Sequence, residues 1–217
     1  MKKRAETLKA KLLTLFKNLS LRWKIFFIVL LNVVSLLLFS LIGFTILSKT
    51  YNELLYRSIA GNLSFSANTI SANLKDVERL SSIILSTPSI QTSLSAIHES
   101  DDAVVRSNAN RSINTALSSY YETFRQNGVS YIVLYNDAFS NTTNWAAYER
   151  TDSAFIHNAL ENAAAGDGAV SWTTGGGSTS GLFLGRNIRK IEALDFSTIG
   201  RLLIYVDTDR LINKINR

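Results

Sequence analysis

Few side chains in this sequence are of types that do chemistry, and their spacing decides what they could do. There are two histidines, His98 and His157, and no cysteine, so disulfides and thiolate zinc sites are excluded. His98 stands beside Glu99, Asp101 and Asp102, a grouping that could hold a metal ion. The same residues fit better at the exposed start of a helix, where acids meet the positive end of the helix dipole, and no metal or cofactor is expected. Gly175, Gly176 and Gly177 lie between two strand-like stretches rather than between a strand and a helix, so they read as a turn and not as a nucleotide loop. The Asn-x-Ser/Thr patterns at Asn62, Asn110 and Asn141 would matter only in a eukaryotic secretory protein. No acids, bases and metal ligands gather in one stretch, so the chain is not expected to be an enzyme.

Binding chemistry is better represented. Tyr131, Tyr135, Trp145, Tyr148, Trp172 and Arg186 are all expected on or beside one sheet. Aromatic walls with a fixed cation suit an anionic or zwitterionic small molecule or peptide. A structural role competes with this: strand alternation puts Tyr131, Val133 and Tyr135 on one face and Ile132 and Leu134 on the other. Both faces would then be apolar and both need a cover, with Trp172 filling the core.

The elements that must position these residues start with a span. Residues 25–47 read IFFIVLLNVVSLLLFSLIGFTIL, without a charge. As a helix they would reach roughly 35 Å, against a hydrocarbon core of about 30 Å. Asn32, Ser35, Ser40 and Thr45 can bond back to the helix or across to a partner helix. Ahead of the run stand Lys2, Lys3, Arg4, Lys9, Lys11, Lys17, Arg22 and Lys24 against the single acid Glu6. The net charge of +6 therefore comes from this tail, the rest of the chain being close to neutral, which points to lipid headgroups and a cytoplasmic N-terminus rather than to nucleic acid. Leu8, Leu12, Leu15 and Phe16 recur at helical spacing within Thr7–Lys17, which could lie on the inner leaflet or simply be a solvated basic flank. The reading is a cytoplasmic tail over 1–24, a transmembrane helix over 25–47 in the cell membrane, and an extracytoplasmic domain over 48–217.

Beyond the span, Leu55, Ile59, Leu63, Ser66, Ile70, Leu74, Val77, Leu80 and Ile84 recur at steps of three and four, which predicts a stalk helix continuing to about Ser86. Thr87-Pro88 should end it. Helices follow over Ser89–Ile97 and Asp101–Arg125, with a stop at Gln126-Asn127-Gly128. Val129–Tyr135 is the clearest strand, Ser140–Asn144 reads as a polar loop and Asp152–Ala165 as a helix. Strands are expected over Ala169–Thr173, Leu182–Ile191 and Gly200–Asp207, with a Gly/Ser/Thr-rich turn over Thr174–Gly181 and a last helix from Thr208 to Asn216. Helices packed on an antiparallel sheet make an α+β domain.

Four stretches in this order resemble the N-terminal sensory part of YesM-type sensor histidine kinases of Gram-positive bacteria, which carry a double Cache domain. They are Leu19–Lys24 running into the span, Leu80–Ile90 at the end of the stalk, Tyr131–Asp137, and Arg186-Asn187-Ile188 followed by Ile199–Asp207. The resemblance implies a PAS-like sheet of about 89–207, an extracellular sensor of a small molecule or peptide, and a homodimer through the long helix. Such a kinase would continue into a membrane-proximal subdomain, a second span, a HAMP linker, a phospho-acceptor helix and an ATP-binding domain. The sequence is thus expected to represent a sensory region that stops after its first subdomain. Two other uses of the same architecture remain open: an anchored surface protein that binds a partner through its stalk, or the input region of a chemoreceptor or cyclic-dinucleotide signalling protein.

Overall fold

The protein is described by a computed structural model over residues 20–136, 138–175, 181–191 and 196–215, with backbone only for 213–215. The segment Thr7–Lys17, most of the basic tail and the middle of the Gly/Ser/Thr turn lie outside these residues. The chain divides into two compact units, residues 1–63 and 64–217. Helix α1, Leu21–Ser86, contributes to both.

In the first unit, no side chain of the apolar run 25–47 is buried. Among the described residues it is the one segment long and apolar enough to cross a membrane. Its polar side chains return to the helix: Asn32 donates to the Ile28 carbonyl (3.0 Å), and Thr45 to the carbonyls of Leu41 (3.0 Å) and Ile42 (2.8 Å). Such closure removes the cost of placing those groups in hydrocarbon.

In the second unit, the last turns of α1 are amphipathic, and Val77, Leu80, Ser81 and Ile84 are buried. The helix stops where Thr87 adopts an extended conformation, with its hydroxyl on the Ile83 carbonyl (2.7 Å). Pro88 then opens α2 (Pro88–Glu99), a position where its missing N–H costs nothing. Helix α3, Ala103–Phe124, is capped by Asp102, whose carboxylate accepts from the Val104 N–H (2.8 Å). A single 3₁₀ turn and Gly128, at φ +87°, lead into strand β1 (Val129–Tyr135). The remaining elements are β2 (Ser140–Thr142), α4 (Trp145–Glu149), α5 (Ser153–Ala165), β3 (Ser171–Thr174), β4 (Gly181–Arg189), β5 (Thr198–Asp207) and α6 (Thr208–Ile215).

The five strands form one antiparallel sheet in the order β2-β1-β5-β4-β3. Strand alternation separates its faces as the sequence predicts. Ile132 and Leu134, with Leu184, Ile188, Leu202, Ile204 and Val206, pack under α1, α2 and α3 against Leu80, Ile84, Ile90, Leu94, Ile113 and Leu117. Tyr131 and Val133, with Phe183, Leu203 and Tyr205, pack on the other side against Phe155, Ile156, Ala159 and Ala163 of α5. Helix α5 can come this close because Gly185 faces it: a Cβ there would lie 2.8 Å from the Ala163 Cβ and 3.1 Å from the Ala159 carbonyl.

Two expectations need correction. The polar loop Ser140–Asn144 contains strand β2, in register with β1 through Val133 and Thr142. Three polar residues carry no alternation to read, and the pairing is supported from outside the strand by Thr143, whose hydroxyl accepts from the Ile132 N–H (3.0 Å). The short helix α4 was not expected. Its signal is Asn144 as the capping residue, accepting from the Ala147 N–H (3.2 Å).

A candidate ligand-binding site on the aromatic face

Helix α4 is the element that makes the aromatic face distinctive. Asn144 caps it and also donates to the Ser130 carbonyl (3.3 Å), which ties the helix start to β1. One turn on, Tyr148 stands edge-on to Tyr131, with ring centroids 5.8 Å apart, and its hydroxyl lies 2.8 Å from that of Tyr135. Trp145 lies 5.5 Å from Tyr148 and is 56% exposed. Tyr131 is fully buried, stacks on its cross-strand partner Tyr205 at 5.0 Å, and donates its hydroxyl to Thr151 Oγ1 (3.0 Å). Offset and edge-on arrangements of this kind satisfy the ring quadrupoles.

Burial pushes the phenols of Tyr131, Tyr135 and Tyr205 above their ordinary range. For Tyr135 the hydroxyl of Tyr148 adds to the effect, and for Tyr205 the charge of Asp207 does. At neutral pH these groups are neutral hydrogen-bonding hydroxyls and not bases.

Four of the six expected site residues therefore come together: Tyr131, Tyr135, Trp145 and Tyr148. Trp172 and Arg186 lie on the other face of the sheet. The Trp172 indole N–H donates to Glu78 Oε1 (3.0 Å), and Arg186 donates to the Gly168 carbonyl (2.6 Å) and to Ser82 Oγ (3.1 Å). Both partners Glu78 and Ser82 are on α1, so these two side chains fasten the helix to the sheet. Trp172 is half-buried at the edge strand rather than at the centre of the core.

Cations for the aromatic face come from elsewhere. A cleft of about 280 Å³ opens beside Tyr205, lined by Ser130, Ala147, Arg150, Thr151, Asp207 and Arg210. Thr151 links it to the buried aromatic cluster through the Tyr131 hydroxyl. Asp207 ends β5 and caps α6, accepting from the N–H groups of Asp209 (3.0 Å) and Arg210 (3.2 Å), and its second oxygen lies 3.3 Å from Arg210 Nε. Two guanidinium groups and one carboxylate around a half-polar cleft can receive a carboxylate and an ammonium at once. Arg150, Thr151, Asp207 and Arg210 were not singled out in the sequence. The one local signal was Asp207-Thr208-Asp209-Arg210, a capping pattern at the end of a strand. No group of three or more metal-ligating side chains occurs among the described residues.

No protein-family model and no curated protein sequence matches the chain. Solved structures do. The sensor domain of the Vibrio cholerae histidine kinase DctB aligns with a TM-score of 0.52 at 16% identity, covering 76% of this chain and 60% of that one. The sensory domain of the Campylobacter jejuni chemoreceptor Tlp3, solved with isoleucine bound, aligns at 0.46 with 16% identity, over 75% and 65% of the two chains. The periplasmic domain of Vibrio cholerae LuxQ aligns at 0.41 with 16% identity, over 70% and 67%. The chain thus spans about 60% of the length of the DctB domain. A long N-terminal helix followed by a five-stranded antiparallel sheet between helices is the α+β arrangement of Cache/PAS-like sensor domains, and it is the arrangement of this chain.

Proposed function

We propose that this chain is the sensory region of a membrane-anchored signal receptor, of the sensor histidine kinase kind that its sequence resembles. The observation that carries the reading is that one helix holds both the apolar run and the turns buried under the sheet. A change in how the sheet packs on Leu80 and Ile84 has a covalent, helical route toward the span. The basic residues ahead of the run favour an N-terminus on the cytoplasmic side, with the Cache-like domain outside. Self-association through α1 follows from the same resemblance, and a homodimer is the form we expect in the bilayer.

The ligand site is proposed at the cleft between α4 and the β5–α6 junction. Arg150 and Arg210 would receive a carboxylate, Asp207 an ammonium, and Tyr135, Tyr148 and Trp145 would border the entrance. An amino acid or the end of a short peptide fits this set of charges. In its favour is that Arg186 and Trp172 are engaged with α1, whereas Arg150, whose Nε donates to the Ala146 carbonyl (2.9 Å), and Arg210, paired with Asp207, line the cleft.

The test is thermal unfolding of the full chain in lipid nanodiscs against amino acids, mono- and dicarboxylates, sugars and short peptides. A ligand is expected to raise the melting temperature in a saturable way. Arg210→Gln should abolish that rise. A panel without one saturable shift, or a shift indifferent to Arg210→Gln, would count against the site.

A further inference from the structure

The cleft beside Tyr205 adjoins the aliphatic core through α6. Arg210 of that helix lines the cleft. The next residue, Leu211, is 2% exposed and belongs to the aliphatic cluster on the other side of the sheet, with Val77 of α1, Val129 and Val206. Two consecutive residues of one short helix therefore serve both faces. Leu211 is seated on Gly128. A Cβ at Gly128 would lie 2.7 Å from both Cγ and Cδ2 of Leu211, and the backbone there has φ +87°, so both the space and the conformation call for glycine.

The same glycine is tied to the cleft by its backbone. Its carbonyl accepts from the N–H of Asp207 (3.0 Å), the residue that caps α6 and lines the cleft. Asn127, which ends the 3₁₀ turn before Gly128, donates through Nδ2 to Asp76 Oδ2 on α1 (3.0 Å). The amide can bond only in this sense, because its oxygen would repel the carboxylate. An unbroken series of contacts thus runs from Arg210 and Asp207, through Leu211 and Gly128, to Asn127 and Asp76.

We infer that α6 and the turn before Gly128 are the output route of the cleft, with Asn127 as the positioning residue that passes a change at Arg210 and Asp207 to Asp76 on α1. The inference rests on the ligand site proposed above. Occupancy acts at the head of the series. The Arg210–Asp207 pair (3.3 Å) is partly exposed, and such pairs contribute little, so a ligand's carboxylate and ammonium can replace it. Arg210 then turns toward the carboxylate and draws the first turn of α6 with it. Leu211 fills the space over Gly128, and a close-packed core answers such a shift by moving neighbours rather than by opening a void. Asn127 carries the motion to α1 through a hydrogen bond to a carboxylate, a stronger kind than one between neutral groups. The ties of α1 at Glu78 and Ser82 go to Trp172 and Arg186, on β3 and β4. A pull at Asp76 that those ties do not share changes how α1 lies on the sheet.

The test fills the cleft with a tethered anion. The chain has no cysteine, so Ala147→Cys places a unique thiol on the cleft wall, and sulfonatoethyl methanethiosulfonate then fixes a sulfonate beside Arg150 and Arg210. Hydrogen exchange of the α1 amides from Asp76 to Ile84 is read in the full chain in lipid nanodiscs, before and after modification. Modification is expected to change that exchange several-fold. Asn127→Ala should remove the response, measured against its own unmodified baseline, so that a loosened fold is not mistaken for lost coupling. Asp76→Asn combined with Asn127→Asp exchanges donor and acceptor across the same bond and should restore the response. Ser82→Ala, which releases Arg186 from α1 off this route, should leave the response as it is. Exchange that modification does not alter overturns the inference. So does a response that persists in Asn127→Ala, that the exchanged pair fails to restore, or that Ser82→Ala removes equally. Should Ala147→Cys not fold, Arg150→Cys, at an exposed position, carries the tether instead. The tether makes the result independent of the natural ligand. A response here, with no saturable shift in the thermal panel, refutes the ligand site and keeps the route; the reverse refutes the route and keeps the site.

Discussion

The two faces of the sheet solve the same burial problem with different side chains. Under α1, α2 and α3 the filling is aliphatic, and the polar contacts there, Glu78 with Trp172 and Ser82 with Arg186, fasten a helix to the sheet. Under α4 and α5 the filling is aromatic, with Tyr131, Phe155, Phe183 and Tyr205 packed ring on ring, the Tyr131 hydroxyl joined to Thr151 and that of Tyr135 to Tyr148. Aliphatic packing is indifferent to pH, so it suits the face that holds α1. Rings with hydroxyls leave polar edges, and it is beside one of them, Tyr205, that the cleft opens. The comparison puts the fastening of α1 on one face and a cleft with polar edges on the other.

Alkali should separate the faces most strongly. Tyr131, Tyr135 and Tyr205 have phenols raised above the unfolded value of 10.0, chiefly by burial. Below that value folded and unfolded chains both hold these protons. Above it the unfolded chain releases them first, so stability is complete below about pH 10 and falls as pH rises further. Chemical unfolding of the 64–217 unit, followed by near-ultraviolet circular dichroism in the intact chain, should show a flat midpoint from pH 7 to 9 and a steep decline beyond 10. A midpoint unchanged at pH 11 would mean that the aromatic face is wetter than its packing implies.

Next in size is a truncation on the aliphatic face. Leu80 is fully buried, and Leu80→Ala removes its side chain from beneath the sheet at a cost of about 2–5 kcal/mol. If α1 is the coupling element, the same variant should also blunt any ligand-induced change in cross-linking along the helix. Gly185→Ala acts on the opposite face, where the added methyl meets the Ala163 Cβ at 2.8 Å. Overpacking there should cost about 1–3 kcal/mol, with α5 displaced from β4. A neutral Gly185→Ala would show that α5 is held less closely than Ala159 and Ala163 suggest.

Much of this division was legible in the sequence, and the reasons are local. The alternation of Tyr131, Ile132, Val133, Leu134 and Tyr135 put two apolar faces on one strand before any fold was known, and both are covered. Thr87-Pro88 marked the end of α1, because proline constrains the residue before it whatever the tertiary context. Asp152 before an apolar-periodic run marked the start of α5, and its carboxylate accepts from the Ala154 N–H (3.0 Å). What could not be read was tertiary. Arg186 looked like a ligand cation because its strand was expected beside the aromatic residues; its partners, Ser82 and Gly168, are 104 and 18 residues away. Trp172 faces the aliphatic side because β3 pairs with β4 in the register Trp172 to Leu184, and register between distant strands is invisible in one sequence. Arg150 and Arg210 meet at the cleft only because β1 and β5 are neighbours.

The smallest expected effect tests whether the hydroxyl pair on the aromatic face is support or recognition. Tyr148→Phe keeps the ring beside Tyr131 and removes the partner of the Tyr135 hydroxyl, at a cost of about 0.5–1.5 kcal/mol. Tyr148 also helps to hold the Tyr135 phenol up, after burial, so its removal should bring the Tyr135 titration down without restoring the ordinary value. Carbon-13 shifts of labelled tyrosine rings would follow this one group. A titration that does not move would place the whole effect in burial and make the pair a bystander. A stability loss well above 2 kcal/mol would make it a fastening like Glu78 with Trp172, and the contrast between the two faces would then rest on side-chain type alone. The intermediate result, a lowered titration with little loss of stability, leaves two hydroxyls free to exchange each other for a ligand, which is what a recognition surface requires.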